Sequence, residues 1–309
     1  MMDVFFERYH ALCRFSVSLG PMVWFRVGGQ AQVFFKPSDQ TSLQEFISEC
    51  PAEIPLFPLG VGSNLLIRDG GIKGIVIRLG KAFTSIRFED DLVYVGAGAL
   101  DRTVALMAAE QGLTGLEFLS GIPGTIGGAV KMNAGAYGSE VKDVFVSCKV
   151  ITRQGEIVEK KLEDLNFTYR KSAIEADDII LEATFKAQKG SKEESLHKIE
   201  SIQRNRALSQ PIKGQTGGST FKNPAGESAW KLIDQAGCRG LRFGKAQVSE
   251  KHCNFLLNTG GASAYEIETL AEEVRRRVYD QSKILLEWEI KRVGQMIPIE
   301  NYKEKHHAY

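Results

Sequence analysis

Along the first half of the chain, apolar residues fall into short runs stopped by glycine, proline or charge, a pattern that predicts many short strands and few long helices. Residues 31–35 read as a strand stopped by Pro37. Ser42 with Glu45 three residues on reads as a capping box, opening a helix with Leu43, Phe46 and Ile47 on one face. Strand-like runs follow at 56–59, 65–67, 74–79, 84–89 and 92–95. Asp101 is then expected to cap a helix that continues to Glu110 and closes at Gly112.

In the next stretch, 144–152 and 156–162 flank Arg153-Gln154-Gly155 as a hairpin, and 178–186 gives another strand. Strands in succession without intervening helices favour an α+β fold over a doubly wound sheet. The polar stretch 188–194 predicts a domain boundary near residue 188, with Ser191 capping a helix that carries Leu196, Ile199 and Ile202 to about Leu208. The expected division is 1–188, 189–293 and a tail, 294–309. Within the second domain, 228–236 reads as a short helix closed by Gly237. Ser263 opens a longer helix with Ile267, Leu270, Ala271, Val274 and Val278 on one face. Residues 284–293 read as a final strand, with Glu287, Glu289 and Lys291 on one face and Leu286, Trp288 and Ile290 on the other.

Composition narrows the function classes. Thirty-nine Lys and Arg against 38 Asp and Glu leave a net charge of +1, too balanced for a chain that works by neutralising a phosphate backbone, so no nucleic-acid partner is expected. No run approaches the ~20 apolar residues of a membrane span, and the opening residues lack a signal-peptide pattern. A cytoplasmic protein is expected. Five scattered cysteines without C-x-x-C spacing signal neither a disulfide framework nor a metal site. Residues 11–196 contain no histidine.

Glycine is the informative figure, 31 of 309 residues, and the excess is concentrated. The turn Leu59-Gly60-Val61-Gly62-Ser63-Asn64-Leu65 follows a β-like run and can offer bare backbone amides and a hydroxyl to a phosphate, although taken alone it serves equally as a strand turn. The loop from Gly121 to Gly138 is stronger, with Gly121, Gly124, Gly127, Gly128, Gly135 and Gly138 in close succession around Pro123 and Asn133. A backbone so stripped of side chains costs conformational entropy, and a nucleotide diphosphate pressed against it explains the pattern. Three polar groups stand apart: Tyr169-Arg170-Lys171-Ser172, Ser219 in the turn Gly217-Gly218-Ser219-Thr220-Phe221-Lys222-Asn223, and Glu287 and Glu289 among large apolar residues. Ser219 lacks a nucleophile elbow, and His252 is the one candidate base near it, which argues against a hydrolase triad. The run Arg275-Arg276-Arg277 reads as a solvated helix end.

Taken in order, the segments 25–31, 59–64, 121–138, 169–172, 218–224 and 246–252 with Asn254, and Leu286-Glu287-Trp288-Glu289, resemble the flavin-dependent UDP-N-acetylenolpyruvoylglucosamine reductases. The resemblance covers about residues 23–293 and matches the shorter type, which lacks an extra loop bearing a substrate-binding tyrosine. It implies an FAD-binding domain of the vanillyl-alcohol-oxidase (PCMH) type in two subdomains, followed by a smaller α+β substrate-binding domain. By likeness, Gly60, Val61, Gly62, Ser63, Asn64, Leu65, Gly121, Pro123, Gly124, Gly127, Gly128, Asn133 and Gly135 face the cofactor. FAD is expected to be non-covalent, since no histidine between 11 and 196 is present to link it.

The resemblance further implies NADPH as co-substrate and a UDP-sugar enolpyruvyl ether as the small-molecule substrate. Hydride passes from flavin N5 to the substrate alkene, Ser219 protonates the neighbouring carbon, and Arg170 with Glu289 stabilises the enolate-like charge. Glu289 is favoured over Glu287 because Glu289-Ile290-Lys291 matches the family's pattern. Tyr137, Tyr169, Lys222, Asn223 and His252 fall at substrate-facing positions. A monomer with no metal is expected. The competing expectations are another flavoprotein of the same fold, which has no use for Arg170, Ser219 and Glu289 together, and a non-catalytic FAD-binding module.

Overall fold

The computed structural model describes residues 2–297 and is of mixed α and β content. The expected tail therefore lies mostly outside the described residues, His306 and His307 included. Contacts divide the chain into two compact units that are not contiguous in sequence. The first holds residues up to 14, Phe34–Gly60 and Gly74–Leu208; the second holds Phe15–Val33, Val61–Lys73 and the chain from Ser209 on. This differs from the expected linear boundary near residue 188. The helix Lys192–Ser209 has the polar cap that suggested a new domain, with Ser191 Oγ accepting from Glu194 N at 3.2 Å, yet it buries Ile199 in the first unit's core. A polar start marks a helix end and carries no information about which core the helix faces.

The first unit is centred on a five-stranded antiparallel sheet in the order Ile157–Lys161, Phe145–Ile151, Ile179–Lys186, Leu92–Gly96, Ile86–Glu89. The hairpin between the first two turns at Gly155, whose φ of 81° is one that side-chain-bearing residues avoid. Val93, Val95, Val150, Ala183 and Phe185 share one core with Val104 and Ala108 of the helix Asp101–Glu110, Val130 of the helix Ile126–Lys131, and Ile199. In the same unit Leu56–Pro58 pairs in parallel with Ile72–Ile77, Pro58 opposite Ile77, so that Gly60 follows directly from a strand end.

In the second unit the helix Ala264–Ser282 buries Ile267, Leu270, Ala271, Val274 and Val278, the stripe expected from sequence. Its capping box is formed: Ser263 Oγ accepts from Glu266 N at 3.1 Å, and Ser263 N donates to Glu266 Oε2 at 2.8 Å. Val248 and Leu256, from the antiparallel strands Ala246–Val248 and Leu256–Asn258, pack in the same core. Glu268 turns inward on this helix and takes three hydrogen bonds, two from Arg68 at 2.9 and 3.0 Å and one from Arg292 at 3.0 Å. These tie the helix to the parallel strands Leu65–Ile67 and Lys291–Val293. The Arg275–Arg277 run is engaged by Glu272, Glu273 and Asp280 of its own helix.

Three local expectations are corrected. The helix Gln40–Glu49 is capped by Asp39, whose carboxylate accepts from Ser42 N at 2.8 Å, so Ser42 is the third helical residue and not the cap. Asp101 is the first helical residue rather than the cap and makes no capping bond, the cap position falling to Leu100. Only Lys291–Val293 of the expected strand 284–293 is regular; the preceding residues keep the inward Leu286 and Ile290 through a single bridge, Phe221 to Trp288. Alternation survives without a ladder because one bridge and side-chain burial hold the segment. The helix Met2–Arg8 and the strand Cys13–Ser18 had no counterpart in the pattern of the sequence.

Candidate active site

The loop 121–128 is built against the segment before it. Asp101 N donates to Gly124 O at 3.2 Å and Ile126 N to Ala99 O at 3.0 Å, which places Leu100 opposite Thr125 in an antiparallel bridge. In that register the Thr125 amide points away from the bridge. Three glycines are required by close approach. A Cβ at Gly60 would lie 2.8 Å from Thr125 Oγ1, one at Gly124 2.6 Å from Asp101 Oδ2, and one at Gly127 3.1 Å from Ala97 Cβ. Gly128 is different: it is exposed in the first turn of the helix Ile126–Lys131, and its Cβ would meet only Thr125 Oγ1 at 3.9 Å. Open space over a helix N-terminus beside a bare backbone is the arrangement that accepts a phosphate. The donor set fits the diphosphate of a flavin dinucleotide.

The remaining loop, 61–65, belongs to the second unit. Gly62 has φ 64°, its O accepts from Trp24 N at 3.3 Å, and a Cβ there would meet Val23 Cβ at 2.8 Å. Asn64 Nδ2 donates to Glu289 O at 3.3 Å, while Lys291 N donates to Asn64 O at 3.0 Å. Leu65 begins the strand paired with Lys291–Val293. Val61 and Ser63 are half-buried beside it, with Ser63 O 3.9 Å from where a Gly218 Cβ would stand.

Arg170 sits at the tip of a tight turn in which Thr168 and Lys171 exchange backbone bonds of 3.0 and 3.1 Å. Its φ of 60° is left-handed, a strained setting for arginine that the turn imposes. The guanidinium stacks over Tyr169 at 4.9 Å, and Nη2 donates to Gly135 O at 3.1 Å. A Cβ on Gly135 would come within 2.8 Å of Glu140 Cβ and 3.3 Å of Arg170 Nη1, so this glycine makes room for the arginine. Asn133, fully buried, donates to Thr168 O at 3.1 Å and accepts from Lys142 N at 3.0 Å. Its side chain is thus engaged in holding the arginine turn, which leaves its backbone alone to face a cofactor. The Tyr137 ring covers Gly121, and its hydroxyl donates to Ile202 O at 3.1 Å; burial raises its pKa. Pro123 is half-buried within the glycine loop.

Ser219 follows Gly218, whose φ is 83°, and is half-buried opposite Phe255 in a bridge. The next residue joins it to Glu289: Thr220 N donates to Asn254 O at 2.7 Å, and Thr220 O accepts from Glu289 N at 2.9 Å. Asn254 completes the clamp, its amide accepting from Phe221 N at 3.0 Å and donating to Phe221 O at 2.7 Å. Glu287 is 76% exposed and ion-paired with Lys222 at 3.2 Å, whereas Glu289 is half-buried on the segment bonded to both Thr220 and Asn64. Asn223 accepts from Ala229 N at 3.0 Å at the start of the helix Ala229–Gln235. His252 accepts from Asn254 N at 3.3 Å through Nδ1 and packs on Phe255, and burial lowers its pKa. The second unit therefore gathers Ser219, Glu289 and Asn64, and the first gathers Arg170, Tyr169, Gly135 and Asn133.

Sequence reasoning missed Thr125, which Gly60 approaches, and gave Asn254 no role of its own. A threonine directly after Gly124 in the glycine loop was the visible signal for the first, and an asparagine two residues after His252 for the second. Among the described residues, no cluster of three His, Cys, Asp or Glu is placed to hold a metal, and no helix is long and apolar enough to cross a membrane.

Residues 31–160 match the FAD binding domain family, and residues 210–293 match the C-terminal domain family of UDP-N-acetylenolpyruvoylglucosamine reductase. The chain is 54% identical over 280 residues to the UDP-N-acetylenolpyruvoylglucosamine reductase of Paramagnetospirillum magneticum, covering 91% of each. It is 50% identical over 280 residues to that of Acidiphilium cryptum, again covering 91% of each. The crystal structure of UDP-N-acetylenolpyruvylglucosamine reductase from Thermus caldophilus superposes with a TM-score of 0.79 at 36% identity, covering 91% of this chain and 98% of that one. The chain belongs to the UDP-N-acetylenolpyruvoylglucosamine reductase family, FAD-dependent oxidoreductases of peptidoglycan precursor synthesis with an FAD-binding domain of the PCMH type.

Proposed function

We propose that the chain reduces the enolpyruvyl ether of UDP-N-acetylglucosamine to UDP-N-acetylmuramate with NADPH as reductant. The supporting observation is the shared anchoring of Ser219 and Glu289 through Thr220, with Arg170 held on its own braced turn. When bound, FAD would supply hydride-transfer chemistry between NADPH and the substrate alkene. The 121–128 loop and Gly60 of the first unit, and the 61–65 loop of the second, would each offer backbone amides to FAD, while most of the residues from Ser209 on would serve the sugar nucleotide.

Arg170 offers a planar fork to the substrate carboxylate, and its stacking on Tyr169 and bond to Gly135 aim it without removing its charge. As negative charge grows on the carboxylate side, this fixed cation stabilises it with no reorganisation. Ser219 gives its hydroxyl proton to the carbon next to the new C–H bond, a role for a neutral donor. Glu289 is carried on the same backbone bridge and supports the arginine's electrostatic role when protonated, since an ionised carboxylate there would oppose the developing charge. Tyr137, Tyr169, Lys222, Asn223 and His252 bind the sugar and diphosphate. All reactants are small soluble nucleotides, which fits a monomer acting in the cytoplasm.

The test separates the half-reactions without oxygen. Ser219→Ala is expected to leave flavin reduction by NADPH nearly intact and to slow reoxidation by substrate by roughly a thousandfold or more. Equal slowing of both halves would remove Ser219 from the mechanism.

A further inference from the structure

Asp101 is the one carboxyl among the described residues that is fully buried with neither oxygen partnered. It opens the helix Asp101–Glu110, where an acid ordinarily bonds an amide of the first turn, and it makes no such bond. Instead it backs the glycine loop. Oδ2 stands 2.6 Å from where a Cβ of Gly124 would be, and Asp101 N donates to Gly124 O. No cation compensates it. The neighbouring Arg102 donates to Gln203 Oε1 at 3.2 Å; the segments that Asp101 bonds or approaches, 97–100 and 121–128, carry no titratable side chain, and Glu117, on the short helix Glu117–Gly121 packed against the helix Asp101–Glu110, is engaged by Thr114, Ser195 and Lys198. Burial acts alone on the group and pushes its pKa well above the usual carboxylate range.

An ionised carboxylate without a partner in this setting is far costlier than a protonated one with an unmade hydrogen bond. The group is also too deeply buried to touch a ligand, since neither oxygen is reached by solvent. It can act only through the loop it supports. We infer that Asp101 is a neutral carboxylic acid that positions the loop 121–128 for an anionic dinucleotide, and that its ionisation releases that ligand. The inference rests on the reading of this loop as the FAD diphosphate site. A charge behind Gly124 and a phosphate in front of it repel across one strand of backbone, so by linkage the bound dinucleotide holds the proton on Asp101, and loss of the proton weakens the dinucleotide.

The experiment is FAD affinity of the full chain from about pH 6 to about pH 10, read by flavin fluorescence. Wild type is expected to lose affinity about tenfold per pH unit on the alkaline side, while Asp101→Asn, neutral and of the same shape, stays flat and binds as wild type does at low pH. An Asp101→Asn protein with the wild-type alkaline slope would overturn the inference. A measurement on the unmodified chain stands beside it. With 13C-carboxyl aspartate, one resonance must remain in the protonated range at neutral pH, and titration of every aspartate in the usual range would overturn the inference as well. Gly128→Val separates the two readings. Its side chain enters open space, so the fold is kept and the phosphate position is filled. Unchanged FAD affinity in Gly128→Val sinks the loop reading and the Asp101 role together; loss of FAD there with no effect of Asp101→Asn on the pH profile sinks the Asp101 role alone.

Discussion

Gly135 shows how a residue without a side chain can govern one with a long one. Its missing Cβ leaves the space in which Arg170 Nη1 lies, and its carbonyl receives Nη2. Gly135→Ala is therefore expected to displace the guanidinium. Stopped-flow traces should show substrate-dependent flavin reoxidation slowed about tenfold or more, with reduction by NADPH unchanged. The glycine loops stand out from residues alone, whereas the arginine beside an aromatic and the serine after two glycines read singly as surface decoration and take a role only from the family resemblance. What could not be read was the division of labour among them. Asn133 is placed toward the cofactor by the resemblance, and what the sequence does not show is that its amide braces Thr168 from 35 positions away in the chain. Asp101 looked like a helix cap because only its position in the sequence was visible, and its burial was not.

Among the elements, those with a full amphipathic stripe and a matching cap were legible nearly to the residue. The helix Ala264–Ser282 is the clearest, its Ser263 and Glu266 closing the box that the sequence advertises. Ser263→Ala should cost about 1 kcal/mol in urea unfolding, with the slope of the transition unchanged. The helix Gln40–Glu49 illustrates the limit. Asp39 and Ser42 can each accept a capping bond, and the choice of Asp39 is made by backbone geometry four residues before the apolar pattern begins at Leu43. Segment 284–293 shows a second limit. Period-two burial is a statement about side chains, and it holds there with only three residues in regular strand, since Phe221 and Asn64 supply isolated partners where a continuous neighbour is absent.

For the molecule as a whole, the fold class was legible from the succession of strands, whereas the two compact units were not, because each is assembled from three separate stretches of chain. Glu268 shows what such assembly contributes to stability. Burial tends to raise its pKa, but the bonds and charge of Arg68, with Arg292, outweigh this and hold it below the ordinary value. A depressed folded pKa means stability that is present above the unfolded value near 4.3 and is lost as pH falls through the folded one. Glu268→Gln is accordingly expected to lower stability at neutral pH by about 2 kcal/mol and to flatten the loss of stability below about pH 4, as followed by thermal melts across pH.

The interleaving of the units also sets a schedule for synthesis. Val61–Lys73 leaves the ribosome long before Ser209 and the residues after it, which complete the same unit. At about 5 to 20 residues per second, those early segments wait roughly 7 to 27 s before Ser209 emerges, with apolar residues such as Leu66 and Ile67 still unpaired with their final neighbours. Nascent chains arrested before residue 209 should therefore expose a chaperone-binding stretch that the finished protein conceals, and the lag is a property of chain order that no single substitution removes.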